Sequence, residues 1–164
     1  MILFTSGTTA LPKGVRLNLT GLFANAESIA DWMQFNNQER FHVILPLHHI
    51  NSVTFTNTTL FAGGTVILSS GYSKSKFWET SAYHQVTGAS IVPTIAYDLL
   101  SEQACFRKYR HQLKRFRRIQ IGSAPVQPTV VEEFMKRYPI PLIQGYGQTE
   151  TSLRSTGVPM NLTK

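Results

Sequence analysis

The 164-residue sequence has one cysteine, few acids and no long apolar run, and each shortage excludes a class of protein. A single cysteine, Cys105, rules out an intramolecular disulfide framework and suits a reducing compartment, and nothing around it resembles a catalytic cysteine signature. No apolar stretch approaches membrane-spanning length, and the start, MILFTSGTT, lacks both a basic n-region and a long apolar h-region. The cytoplasm is therefore the expected compartment, and the Asn-x-Ser/Thr sequons at Asn18, Asn57 and Asn161 carry no meaning without a secretory route. Charged residues make up 15% of the chain against 42% hydrophobic, which excludes disorder and allows one globular domain with its own core.

Acids number 9 against 16 lysines and arginines, and the resulting net charge of +7 raises nucleic acid or an anionic membrane surface as partners. Much of that charge falls in FRKYRHQLKRFRR, Phe106 to Arg118. There Phe106, Tyr109, Leu113 and Phe116 recur at helical spacing while Arg107, Arg110, Lys114 and Arg118 take the other faces. The pattern reads as an amphipathic surface helix with a solvated basic face, in preference to a nucleic-acid or lipid patch.

What the chain does have is an alternation of strands and helices. Ile2 to Thr5 is a short apolar strand, and Thr20 to Met33 places Leu22, Ala26, Ile29, Ala30 and Met33 at helical spacing. Strands are expected at Val43 to Pro46, Thr65 to Leu68, Ala89 to Val92, Arg118 to Ile121 and Leu142 to Gln144. Helices are expected at Ser52 to Phe61, Lys74 to Tyr83, Ile95 to Leu100 and from Pro128 to about Arg137, where Pro139 and Pro141 enforce the end. Gly63-Gly64 marks a break. The fold class is α/β, in one domain without repeats or linkers.

Three glycine-bearing loops follow strands: TSGTTALPKG at Thr5 to Gly14, GSAP at Gly122 to Pro125 and GYGQTE at Gly145 to Glu150. Ligands of open α/β sheets collect at such ends. The first loop combines hydroxyls, backbone N–H groups and the Lys13 ammonium, which are the groups that surround a polyphosphate. It is not a Walker A loop, because Pro12 precedes Lys13 and Gly14 follows it, so a metal ligand must come from elsewhere. The third loop supplies one in Glu150, with Thr149 as a phosphate hydrogen-bond donor and Tyr146 as an aromatic plane for a base. Singly, Gly-Tyr-Gly reads as a tight turn around a packed tyrosine and Glu150 as a helix-start carboxylate.

In combination and in this order, TSGTTALPKG, LPLHHIN at Leu45 to Asn51, GSAP and GYGQTETS resemble the successive core motifs of the adenylate-forming (AMP-binding) superfamily over Ile2 to Ser152. That resemblance implies part of the large N-terminal α/β domain, and an ATP-dependent, AMP-forming reaction in which a carboxylate becomes an acyl-adenylate and then a thioester. It assigns Thr5, Ser6, Gly7, Thr8, Thr9 and Lys13 to the loop gripping the β- and γ-phosphates, with Ala10 departing from the family's usual glycine. Ser123, Ala124 and Pro125 fall at the adenine, Tyr146 and Gly147 at the stacking position, Thr149 at the α-phosphate and Glu150 at magnesium. His49 matches the histidine on the acyl side, and PLHHIN and Val92-Pro93-Thr94 look like the acyl-CoA synthetase or carboxylate–CoA ligase branch, an acid–thiol ligase of acyl metabolism.

ATP or AMP, Mg²⁺ and CoA as co-substrate are the implied ligands, with a small carboxylic acid as partner and neither nucleic acid nor a membrane span. The family's ribose aspartate, hinge and lysine-bearing C-terminal domain have no counterpart after GYGQTETS, nor do its elements upstream of the phosphate loop. Residues 1–164 therefore read as a central fragment incomplete at both ends, expected to turn over poorly alone and to self-associate. The alternatives are a non-catalytic nucleotide-binding or interaction module and, on charge alone, a basic nucleic-acid binder.

Overall fold

The computed structural model describes residues 1–5 and 11–158. β1 (Ile2–Thr5) and β2 (Lys13–Arg16) form an antiparallel hairpin in which Thr5 stands opposite Lys13. α1 (Leu19–Trp32) begins where the Asn18 side chain accepts from the Gly21 N–H at 2.6 Å, satisfying a helix-end donor that would otherwise lack a partner. There follow β3 (Arg40–Val43), α2 (Ile50–Phe61), β4 (Thr65–Leu68), α3 (Phe77–Tyr83), β5 (Gly88–Ile91), α4 (Pro93–Leu100) and α5 (Gln103–Tyr109). β6 (Arg118–Ile121), α6 (Pro128–Arg137), β7 (Leu142–Gln148) and β8 (Leu153–Gly157) complete the described elements. Pro93 and Pro128 each open a helix, where a missing N–H costs nothing.

The main sheet runs β4-β3-β5-β6-β7-β8, parallel from β4 through β7, with β8 returning antiparallel. Side chains alternate across it. Phe41 and Val43 of β3 and Ile143 of β7 join Leu22, Ile29 and Phe55 of α1 and α2 in one core. Ile91, Ile119, Ile121 and Leu142 join Trp78, Leu99, Phe106 and Phe134 in a second, built with α3 to α6. The sheet is thus covered on both faces, as parallel sheets are.

Three expectations need correction. The second strand is Arg40–Val43, not Val43 to Pro46: Glu39, Arg40 and His42 hid it, and each finds a buried or half-buried partner. The helix expected over Phe106 to Arg118 ends at Tyr109. Its apolar spacing is met instead by turns, Leu113 N donating to Tyr109 O at 3.2 Å and Phe116 N to Leu113 O at 2.9 Å. Arg118 is therefore not on a basic helix face; it is 1% exposed in β6 and ion-paired with Glu39. Finally, β7 extends through Gly145, Tyr146 and Gly147, so that stretch is strand rather than loop, and it pairs with β8, which was not foreseen.

His42 shows how the polar interior is satisfied. At 2% exposure its Nε2 lies 2.8 Å from Ser69 Oγ and its Nδ1 3.3 Å from Ser81 Oγ, while Phe77 stacks on the ring. Burial, with a smaller contribution from His84, pushes its pKa down from 6.5 to about 4. Because the unfolded chain takes up a proton below pH 6.5 that the folded chain refuses, stability should fall by about 3 kcal/mol as pH drops from 6.5 to 4. Urea unfolding at a series of pH values checks this, and His42→Gln should remove that part of the slope.

Candidate functional site

The carboxyl ends of β3, β5, β6 and β7 lie on one edge of the sheet, and chain order reverses between the β4–β3 pair and the run β5, β6, β7. Such a reversal opens a crevice where ligands bind in sheets of this kind. On the same edge, beside that reversal at β6, β7 and β8, lies a cleft of about 760 Å³, within the size range of small-molecule sites. Gly122, Ser123, Ala124, Pro125 and Val126 line it from the loop after β6, and Gln144, Gly145, Tyr146 and Gly147 line it from β7. Thr156, Gly157 and Val158 complete the lining. The two walls nearly touch at their base, since a Cβ on Gly122 would come within 2.6 Å of Gly145 O. Tyr146 is 63% exposed, and its flat ring is the shape on which a base stacks.

Thr149 and Glu150 lie just beyond this lining, in the 3₁₀ turn Thr149–Thr151 that joins β7 to β8. The Thr151 hydroxyl ties the turn, accepting from Gln148 N–H at 3.3 Å and donating to Gln148 O at 3.0 Å. The chain leaves it through two left-handed residues, Ser152 with φ 59° and Leu153 with φ 98°. Such backbone costs on the order of 1–3 kcal/mol per residue and needs packing to hold it. Leu153, 6% exposed, sits in the core, and Thr54 Oγ1 of α2 donates to Ser152 O at 3.3 Å. Glu150 is exposed and has no ion-pair partner among the described residues.

β2, the strand that begins at Lys13, packs beside the Thr149–Thr151 turn that carries Glu150. Thr5 Oγ1 donates to Lys13 O at 3.4 Å across the hairpin, which places both at the mouth of the phosphate-type loop. Ser6, Gly7, Thr8 and Thr9 lie outside the described residues. His49 precedes α2 as an exposed residue, its ring 4.5 Å from that of His48 and outside the cleft lining. The sequence expectations thus meet in one group, Ser123 to Pro125 with Tyr146 and Gly147, while β2, which begins at Lys13 opposite Thr5, packs beside the turn that carries Thr149 and Glu150, and His49 lies apart from both.

Sequence reasoning missed the contribution of β8. The signal was the pair of glycines two apart in β7. A Cβ on Gly147 would fall on Leu153 O and one on Gly145 on the Arg154 guanidinium, so β8 presses on the face those glycines leave bare. Gly147→Ala should cost about 1–3 kcal/mol by overpacking the hairpin. Gly71→Ala, where a Cβ meets nothing within 4 Å, should change stability by less than about 0.5 kcal/mol. Denaturant unfolding of both variants checks the contrast.

Comparison with known proteins places this geometry. The model of the AMP-binding enzyme family matches residues 1–163. Among curated relatives, the sulfoacetate–CoA ligase of Cupriavidus necator is 32% identical over 162 residues, covering 98% of this chain and 31% of that protein. The 2-succinylbenzoate–CoA ligase of Bacillus subtilis is 31% identical over 150 residues, covering 92% and 29%. Among solved structures, the O-succinylbenzoate coenzyme A synthetase of Bacillus subtilis with ATP and magnesium superposes with a TM-score of 0.85 at 30% identity, covering 98% of this chain and 32% of that one. The same enzyme with its acyl-adenylate intermediate gives 0.87 at 29% identity, covering 99% and 32%. The chain spans just under a third of each of these proteins, relatives that are CoA ligases, and it belongs to the AMP-binding enzyme family.

Proposed function

We propose that this chain is the nucleotide-binding part of an AMP-forming carboxylate–CoA ligase, with the adenosine in the 760 Å³ cleft and the phosphates toward the Lys13 and Glu150 corner. The observation that carries this reading is the convergence of β2 on the Thr149–Thr151 turn at the cleft-bearing edge of the sheet. Tyr146 would stack on adenine, with Ser123, Ala124 and Pro125 at the ring edge. Thr149 would donate to the α-phosphate, and Lys13 with the hydroxyls of Thr5, Ser6, Thr8 and Thr9 would hold the β- and γ-phosphates until pyrophosphate leaves.

In such a reaction a carboxylate oxygen attacks the α-phosphorus and pyrophosphate departs. A CoA thiol then attacks the acyl carbonyl and AMP departs. Donors fixed before the reaction lower the barrier because they need no reorganisation as charge moves onto the leaving group. His49 at the head of α2 would border the acyl group. The donor set also fits magnesium. Among the described residues no cluster of three ligating side chains exists, and a lone exposed carboxylate, Glu150, suits an ion otherwise held by substrate phosphates and water. Magnesium bound there would neutralise phosphate charge. Cytoplasmic location and a role in acyl metabolism belong to the same reading; among the described residues no helix is long and apolar enough to cross a membrane.

Titration of the chain with MgATP tests the reading. Lys13→Ala and Glu150→Gln should each weaken binding about tenfold, the loss of one charge-assisted contact, and the Glu150 effect should vanish when magnesium is withheld. Neutralising the exposed Arg107, Arg110 and Lys114 together should leave MgATP affinity unchanged. Oligonucleotide binding that is salt-sensitive and lost with those three charges, alongside absent MgATP binding, would instead establish a nucleic-acid binder.

A further inference from the structure

Arg154 is a half-buried cation that the nucleotide reading does not use. It sits on β8 opposite Gly147. Asn25 of α1 grips its main chain from both sides, Asn25 Nδ2 donating to Arg154 O at 2.8 Å and Arg154 N donating to Asn25 Oδ1 at 3.1 Å. The guanidinium lies over the Trp32 ring, 4.6 Å from its centroid, and fills the space that a side chain at position 145 would need.

Its charge is unmatched. Nε is shut off from solvent with no hydrogen-bond partner, and Nη1 reaches Thr156 O at 3.5 Å. The ion pairs among the described residues are Arg117–Glu39, Arg118–Glu39 and Arg137–Glu133, so no described carboxylate pairs with Arg154. Burial alone pushes its pKa down to about 10, which leaves it cationic at neutral pH. Arg118, pushed down to about 10 by burial as well, has Glu39 against it. A partly desolvated cation without a counter-charge destabilises a fold, and a group perturbed in this way beside a cleft is a candidate for a functional role.

The cleft explains which anion. Every residue of its lining is uncharged, from Ile121 to Val126, from Gln144 to Gly147 and from Thr156 to Val158. Gly145 and Thr156 belong to that lining and also lie against the guanidinium, so the charge stands behind the cleft wall, separated from it at Gly145 by backbone alone. We propose that Arg154 is a positioning residue for the nucleotide, a fixed positive charge behind the Gly145–Gly147 backbone whose field acts on the phosphate of a nucleoside monophosphate or triphosphate where it leaves the uncharged cleft toward Thr149. The inference rests on the nucleotide reading of the cleft.

Comparing AMP with adenosine isolates the charge. Arg154→Met should weaken AMP binding about tenfold while changing adenosine affinity less than about twofold, and Arg154→Lys should keep AMP affinity within about threefold of wild type. The thermal midpoint of Arg154→Met should equal or exceed that of wild type, whereas a merely structural arginine would lower it and weaken both ligands alike. If Arg154→Met does not fold, Asn25→Asp carries the test, since a carboxylate on the side chain that holds Arg154 should reduce AMP affinity severalfold and spare adenosine. Unchanged AMP affinity in the folded neutral variant, or equal loss of both ligands, overturns the proposal while the nucleotide reading stands. Wild-type protein that binds neither ligand overturns both.

Discussion

Glu39, fully buried, is the residue to which four strands are tied through its carboxylate and its main chain. One oxygen accepts from the Thr87 hydroxyl just before β5, and the other pairs with Arg118 at the start of β6 and with Arg117 at 3.1 Å. Its carbonyl accepts from Thr65 N–H of β4 at 2.7 Å, and its own chain continues into β3. Gly64 is bare because a Cβ there would come within 2.9 Å of Glu39. The Arg118 guanidinium lies over the Phe35 ring, 4.6 Å from its centroid, so its apolar face is covered as well. Removing one member of a pair buried this deeply commonly costs about 3–5 kcal/mol. The physical consequence is alignment: with the amino ends of β3 to β6 gathered at one buried charge, their carboxyl ends finish together at the opposite edge, where the cleft opens.

At that opposite edge the design changes from charged pairing to close backbone packing. β7 runs on past the parallel ladder, meets β8, and carries glycine where β8 and the Arg154 guanidinium press in. The left-handed Ser152 and Leu153 close the hairpin against α2, and Asn25 and Trp32 of α1 hold β8 from behind. Trp32 Nε1 donates to Val158 O at 3.1 Å, which anchors the last described residue of the cleft lining to the same helix. The cleft wall is thus a thin strand with a fixed scaffold at its back, an arrangement that lets a ligand approach backbone closely without loosening the fold.

Much of this was legible in the sequence because the strands and helices carry their own patterns. The short runs of β4 to β6 and the start of β7, the helix read from Ile95, the proline-started α6 and the helical spacing of α1 each fell within a few residues of the observed elements. What escaped depended on partners distant in sequence. β3 was displaced because Glu39, Arg40 and His42 look like surface residues until Arg118, His84 O and Ser69 are placed beside them. Arg118 was read as part of a basic helix face for the same reason. β8 carries the polar run Arg154-Ser155-Thr156, and its strand character comes from pairing with β7. Of the candidate site, the residues with chemistry of their own (Lys13, Tyr146, Thr149 and Glu150) were named from the sequence, whereas Thr156 and Gly157, which line the cleft, and Arg154, which fills the space beside Gly145, belong to a strand that no motif spells out.

The central claim is that the nucleotide sits at the carboxyl edge of the sheet, against the wall made by the loop after β6 and the β7–β8 hairpin. Photolabelling the chain with 2-azido-AMP, followed by peptide mapping, tests that claim most directly. Label should appear on the peptides containing Gly122 to Val126 and Tyr146, and excess unmodified AMP should suppress it. Label concentrated on Arg107 to Arg117, or spread along the chain and indifferent to AMP, would contradict the account.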